Sequence, residues 1–97
     1  MMNIEINTQE TKGMAIAKAD ADNKQIGEMT FSVASDDLII IDHTEVNPEH
    51  RGEGIGEEIL NKVVAWAREN EVKIMPLCPF AAAQFKKNDQ IQDVLKK

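Results

Sequence analysis

The sequence predicts an α+β fold: a small, mixed, mostly antiparallel sheet carrying two main helices. Three observations lead there. Up to Val46 the chain alternates apolar and polar residues with a period of two, interrupted by turn clusters. From Ile55 to Ala67 the apolar residues recur instead at helical spacing. A short apolar stretch and a second, shorter helical segment follow, so a run of strands precedes the helices rather than alternating with them.

Taken in order, Asn3 to Asn7 alternates with Ile4 and Ile6 on one side and reads as a short edge strand. Lys12 to Ala19 alternates more weakly; Met14 and Ile16 are its large apolar residues, beside Gly13 and three alanines. Asp20-Ala21-Asp22-Asn23-Lys24 is a turn cluster favouring a hairpin. In Ile26 to Ala34, Met29, Phe31 and Val33 face one way and Glu28, Thr30 and Ser32 the other, the pattern of a half-buried antiparallel strand. Ser35-Asp36-Asp37 turns again. Leu38 to Ile41 is continuously apolar, which predicts a strand start buried on both faces. Its later residues, Asp42, His43, Thr44, Glu45 and Asn47, are polar. A strand that opens from an apolar start into a polar end suits a central strand running into a site.

Pro48 closes that strand, and Glu49 to Gly52 lead into a helix beginning near Gly54. Ile55, Ile59, Leu60, Val63, Val64 and Ala67 form its packing stripe. Glu57 and Glu58 in the first turn and Arg68 in the last complement the helix dipole. Val72 to Leu77 reads as a fifth strand, Phe80 to Lys87 as a short helix, and Asp89 to Leu95 as one or two last turns. The expected order is β-β-β-β-α-β-α, a single domain over residues 1–97.

Composition narrows the function classes. With 11 basic and 17 acidic residues the chain carries a formal charge of -6 and no basic cluster. Nucleic acid and anionic membranes are therefore not expected partners, because affinity for either comes mainly from neutralising phosphates. A small phosphorylated ligand stays possible, since one nest of N–H groups can hold it against a distant, screened field. The single cysteine, Cys78, allows no internal disulfide. Met1 to Glu10 has neither a basic n-region nor an apolar h-region, so a cytoplasmic location is expected. Exposed sheet edges would permit a weak homodimer but do not require more than a monomer.

The most informative segment is Arg51-Gly52-Glu53-Gly54-Ile55-Gly56, between the central strand and the helix. Glycines let backbone N–H groups approach an anion, and the unpaired N–H groups of the first helical turn face it. A Walker loop would end in Gly-Lys-Ser/Thr, but Gly56 is followed by Glu57-Glu58. A dinucleotide fingerprint would place its third glycine where Glu57 stands, and would come early in a parallel unit. Neither fits. The glutamates at 49, 53, 57 and 58 crowd the loop and are expected to point to solvent, with Arg51 offsetting part of their charge.

The pattern Arg/Gln-x-x-Gly-x-Gly/Ala, here Arg51, Gly54 and Gly56, resembles the pyrophosphate loop of the GNAT superfamily of N-acetyltransferases. His43-Thr44-Glu45-Val46 before Pro48 looks like that family's fourth strand, and Val72 to Leu77 like its splayed fifth strand. With Leu77-Cys78-Pro79-Phe80, the chain is most similar to the minimal GNAT-like proteins, over most of its length. The resemblance implies acetyl-coenzyme A as cosubstrate and acetyl transfer to an amine, the acceptor not being identified. It implies a cofactor surface built from Thr44, Val46, Arg51, Gly52, Glu53, Gly54, Ile55, Gly56, Phe80 and Phe85. The alternative is a protein that binds coenzyme A or its acetyl ester with little or no transfer.

Amine attack on a thioester needs a base, a polarised carbonyl and a proton for the leaving thiolate. His43 and Glu45, two apart on one strand face, are the candidate bases. A backbone N–H near Val46 could polarise the carbonyl. The family's Asn-x-x-Ala-x-x-x-Tyr pattern falls on Cys78, Ala81 and Phe85, so the usual tyrosine acid is missing, and the chain has no Tyr. Cys78 is the candidate replacement, either as proton donor, with a reference pKa of about 8.5, or as acyl-accepting nucleophile. His43, His50, Asp42 and Cys78 match no compact ligand spacing, so no metal is expected.

Overall fold

A computed structural model describes residues 2–96. Five strands form one sheet in the order of the chain: β1 Met2–Thr8, β2 Lys12–Ala19, β3 Gln25–Ser35, β4 Leu38–Val46 and β5 Lys73–Pro76. The first four pair antiparallel through short turns; β4 and β5 pair parallel, joined by the crossover helix α1, Ile55–Glu69. A second helix, α2, spans Pro79–Lys87, and a 3₁₀ segment, Asp89–Val94, closes the fold. This is the expected mixed, mostly antiparallel α+β architecture with two main helices.

The helix stripe reads directly into packing. Ile55, Ile59, Leu60, Val63, Val64 and Ala67 are all buried, against Met29, Phe31, Ile39 and Ile41 of the sheet. On β2 the buried pair is Ala15 and Ala17, while the larger Met14 and Ile16 lie half-buried on the opposite face. Small residues there leave room for the branched side chains of α1. Gly13 serves the same end: a Cβ at this position would collide with the ring of Phe31, which is itself pinned against Trp66 at a centroid distance of 5.6 Å.

The opening run of β4 differs from its expectation. Ile39 and Ile41 are buried, but Leu38 and Ile40 are only half-buried. The face they share with Glu28, Thr30 and Ser32 is left partly open to solvent, so the strand is dry on one side alone.

Arg68 ties the end of α1 to the 3₁₀ segment. Its Nε and Nη2 donate to the two carboxylate oxygens of Asp93 at 3.0 and 2.8 Å, and Nη2 also donates to the Gln90 carbonyl at 2.7 Å. These bonds from Arg68 hold the Asp93 carboxyl below the usual aspartate range. A depressed folded-state pKa contributes stability that is present above the unfolded value and is lost as pH falls through the folded one. Asp93→Asn should therefore lower Tm modestly at pH 7. The gap from wild type should close as pH falls below about 3.9, the unfolded value, in thermal melts run across that range.

Candidate active site at the strand splay

The site starts from a one-residue irregularity. Thr30 pairs with His43 and Phe31 with Ile41, so Asp42 is an extra residue on β4, a bulge. A bulge shifts the alternation of a strand by one. Beyond it Thr44 pairs with Met29 and Val46 with Gly27, which puts their side chains on the α1 side of the sheet. His43 and Glu45 take the open face together, His43 Nε2 standing 3.9 Å from Glu45 Oε2. Both side chains are well exposed.

The same stretch of β4 loses its neighbour. β5 pairs only as far as Ile41 opposite Pro76. The N–H groups of Leu77 and Cys78 then both donate to the Ile41 carbonyl at 3.1 Å, and the chain leaves for α2. Past Ile41 one edge of β4 is therefore bare. The Asn47 N–H donates to Ile26 on β3 at 2.8 Å, so by alternation the Val46 and Thr44 N–H groups point away from β3, into the gap.

Across the gap stands the start of α1. Gly52 and Gly54 adopt positive φ, +86° and +77°, which L side chains rarely enter. Gly54 caps the helix without any side-chain bond. The first intrahelical bond is Glu58 N–H to the Gly54 carbonyl at 3.0 Å. The N–H groups of Ile55, Gly56 and Glu57 thus have no intrahelical acceptor, and α1 presents an anion-binding terminus. Two close approaches fix that turn in place. Cβ atoms built at Gly27 and Gly56 would lie 3.1 Å from Ile55 and 2.8 Å from the Phe80 ring, so a larger residue would crowd Ile55 at the first position and displace the ring at the second.

A cavity of about 640 Å³ occupies the splay. Its walls are His43, Thr44, Glu45 and Val46 from β4, His50, Arg51, Gly52 and Gly54 from the loop, Ile55, Gly56 and Glu57 from α1, and Phe80 from α2. Thr44 and Glu45 belong to opposite faces of the sheet yet line the same space. The cavity therefore passes through the sheet plane, which the bare edge of β4 permits.

Three of the sequence-derived site residues stand apart from these walls. Glu53 is exposed, with its Oε1 3.2 Å from His50 Nδ1. Phe85 is 2% exposed and belongs to the core. Cys78 is 4% exposed and sits behind the cavity, its Sγ donating to Thr44 Oγ1 at 3.3 Å. Burial pushes the Cys78 thiol up, but the Thr44 hydroxyl and the backbone groups of Ala81, Phe80 and Thr44 outweigh it and hold the thiol below its usual range. Glu49, Glu53, Glu57 and Glu58 are all exposed, Glu57 at the cavity rim. Arg51 is exposed and, among the described residues, forms no ion pair.

Two wall residues, His50 and Glu57, are absent from the cofactor surface expected from sequence, where Glu57 was expected to point to solvent. The available signal was Asn47-Pro48: the Asn47 side chain accepts from the Glu49 N–H at 3.0 Å, and this cap turns Pro48–His50 into a 3₁₀ segment beside the cavity.

Comparison with known proteins bears on the fold and the loop together. A family of GCN5-related N-acetyl-transferases matches residues 15–94. The chain belongs to this family. The solution structure of a GCN5-like protein from Staphylococcus aureus, provisionally assigned as an N-acetyltransferase, is 38% identical, with a TM-score of 0.71 over 99% of this chain and 91% of that one. A GNAT family acetyltransferase from Elizabethkingia anophelis, solved with acetyl-CoA bound, shares the fold at 16% identity and a TM-score of 0.65. There the match covers 77% of this chain and 63% of the other. The ribosomal-protein-alanine N-acetyltransferase of Brucella melitensis biovar Abortus is similar at 18% identity and a TM-score of 0.64, over 92% of this chain and 64% of that protein. The GNAT chain thus spans less than two thirds of these two larger structures. No curated protein matches it significantly.

The loop geometry carries a stability prediction. A Cβ at Gly54 would meet nothing within 4 Å, so any cost of Gly54→Ala comes from backbone conformation alone. That substitution should lose about 1–2 kcal/mol in denaturant unfolding, and Gly54→Asn less, since Asn tolerates the left-handed region.

Proposed function

We propose that this GNAT protein binds acetyl-coenzyme A in the splay cavity and transfers the acetyl group to an amine. The observation that carries the reading is the shared wall of the cavity: one side is an open helix terminus and the other is a strand edge with free N–H groups. The diphosphate would lie on the N–H groups of Ile55, Gly56 and Glu57, with Arg51 supplying a cation. Each such contact is worth on the order of 0.3–1 kcal/mol, so several act together. The pantetheine arm would then run along Thr44 and Val46, whose N–H groups can bond it and polarise the thioester carbonyl.

The through-sheet cavity separates the two substrates. The cofactor lies on the α1 side, and the acceptor amine reaches the thioester from the open face. There His43 takes its proton, with Glu45 beside it on the same face at 3.9 Å. Cys78 replaces the missing tyrosine as the source of a proton for the thiolate. The bound acetyl-CoA in the Elizabethkingia structure and the 38% identity to the S. aureus protein support the cofactor assignment.

One observation favours a second reading. Cys78 is buried and does not line the cavity, and Phe85 offers no hydroxyl, which suits a protein that binds the cofactor with little or no transfer. Calorimetry with acetyl-coenzyme A should show binding to the wild type. Release of free thiol with spermidine and a lysyl peptide should show turnover, and His43→Ala should reduce it by about a hundredfold with little change in affinity. Binding without turnover would favour the second reading; absence of binding would overturn both.

A further inference from the structure

We propose that the Thr44 hydroxyl is the relay through which Cys78 reaches the cavity, accepting the thiol proton of Cys78 as it gives its own to the departing thiolate of the cofactor. The inference rests on the acetyl-transfer reading and adds to it a route for the proton.

Three observations converge on Thr44. Cys78 is 4% exposed and outside the cavity wall, so its sulfur has no direct approach to a bound thioester. Its thiol already donates to Thr44 Oγ1 at 3.3 Å, within the range of a sulfur hydrogen bond. Thr44 itself is half-buried and lines the cavity, and it is the one hydroxyl residue among those that do. The Asp42 bulge is what turns it inward: without that extra residue Thr44 would lie on the open face and His43 on the α1 side.

The step balances without a further reactant. As the tetrahedral intermediate collapses, the C–S bond breaks and its electron pair goes to the cofactor sulfur. That sulfur takes the Thr44 proton, and Oγ1 takes the Cys78 proton. The proton from the attacking amine goes to His43. Cys78 is left as a thiolate facing the first turn of α2, and solvent later returns its proton while His43 releases one. The backbone groups of Phe80 and Ala81 favour that thiolate, which lowers the cost of the transfer. The other titratable groups around the cavity are His43 and Glu45 on the open face and His50, Arg51 and Glu57 toward the mouth. Among the described residues none of these groups hydrogen-bonds to the Cys78 sulfur, whose side-chain partner is Thr44.

The test uses the full chain with Thr44→Val, which keeps shape and removes the hydroxyl, and Thr44→Ser, which keeps the hydroxyl. The pH midpoint of Cys78 alkylation by iodoacetamide, followed by intact mass, should rise by about half a unit or more in Thr44→Val. In Thr44→Ser it should stay near wild type. With spermidine or the lysyl peptide, Thr44→Val should lose about tenfold or more in kcat at little changed KM, and Thr44→Ser should recover it. Thr44→Val combined with Cys78→Ala should be no slower than Cys78→Ala alone, whereas a merely structural threonine would add its loss. If Thr44→Val does not fold, Thr44→Ala takes its place in each comparison. Turnover of Thr44→Val equal to wild type overturns the relay whatever the alkylation midpoint does. A wild type that binds acetyl-coenzyme A but releases no thiol overturns the transfer reading and the relay with it, and one that does not bind overturns the cofactor site itself.

Discussion

The interaction on which the rest depends is one that β4 does not make. Beyond Ile41 it has no strand partner on its outer edge among the described residues, because β5 stops at Pro76 and the chain turns into α2. A bare strand edge is ordinarily a liability, since unpaired N–H and C=O groups invite another strand. Here the edge is recessed: α1 and Phe80 stand across it, with the cavity of about 640 Å³ between. The other end of the sheet is handled differently. The outer edge of β5 is covered at Ile74, which bridges Leu95 and accepts from the Lys96 N–H at 2.8 Å. Backbone groups are thus satisfied around the splay and left open within it.

The bulge and the glycine loop solve two halves of one geometric problem. The bulge sets which side chains of β4 face α1, and the positive-φ glycines set where the first turn of α1 can begin. Gly27 couples the halves, since Ile55 and Ile59 rest on it so closely that a Cβ there would crowd both. Shifting α1 outward by a side chain's width would widen the cavity and pull the helix N–H groups off their target. Electrostatics works against this arrangement at long range, given a net charge of -6. Charges separated by more than about 8 Å at physiological salt are largely screened, however. What an anion meets locally is a row of N–H dipoles and the exposed Arg51, with Glu57 at the rim working against them.

Much of this was legible in the residues, and the unread part has physical reasons. The stripe on α1 and the alternation on β3 were plain because each element buries one face against a single neighbour, and period then reports environment. The glycine loop was plain because positive φ favours glycine. Which face of β2 turns inward was not: Met14 and Ile16 look like core, but the interlocking volume of α1 selects Ala15 and Ala17. A one-residue bulge leaves no composition signal at all, since Asp42 reads as the first polar residue of an opening strand. Phe85 was read toward the cavity through its place in a family pattern. Its environment is instead the core it shares with Ile74, Ile91 and Val94, because nothing polar on the ring draws it to the site.

No wall of the cavity is an appended layer; β4, α1 and α2 are the same elements that make the core, and several residues serve both. Ile55 is buried in the core and lines the cavity, and Phe80 packs on Gly56 while forming the opposite wall. Side chains locked by packing hold their positions without a second shell of loops, which is the condition for a preorganised site. The cost is that such a site has little independent freedom: a substitution that loosens the α1–sheet contact also moves the donors at its start. The loop residues His50 to Gly54 and the exposed side chains of His43 and Glu45 are the parts of the wall that the core does not build.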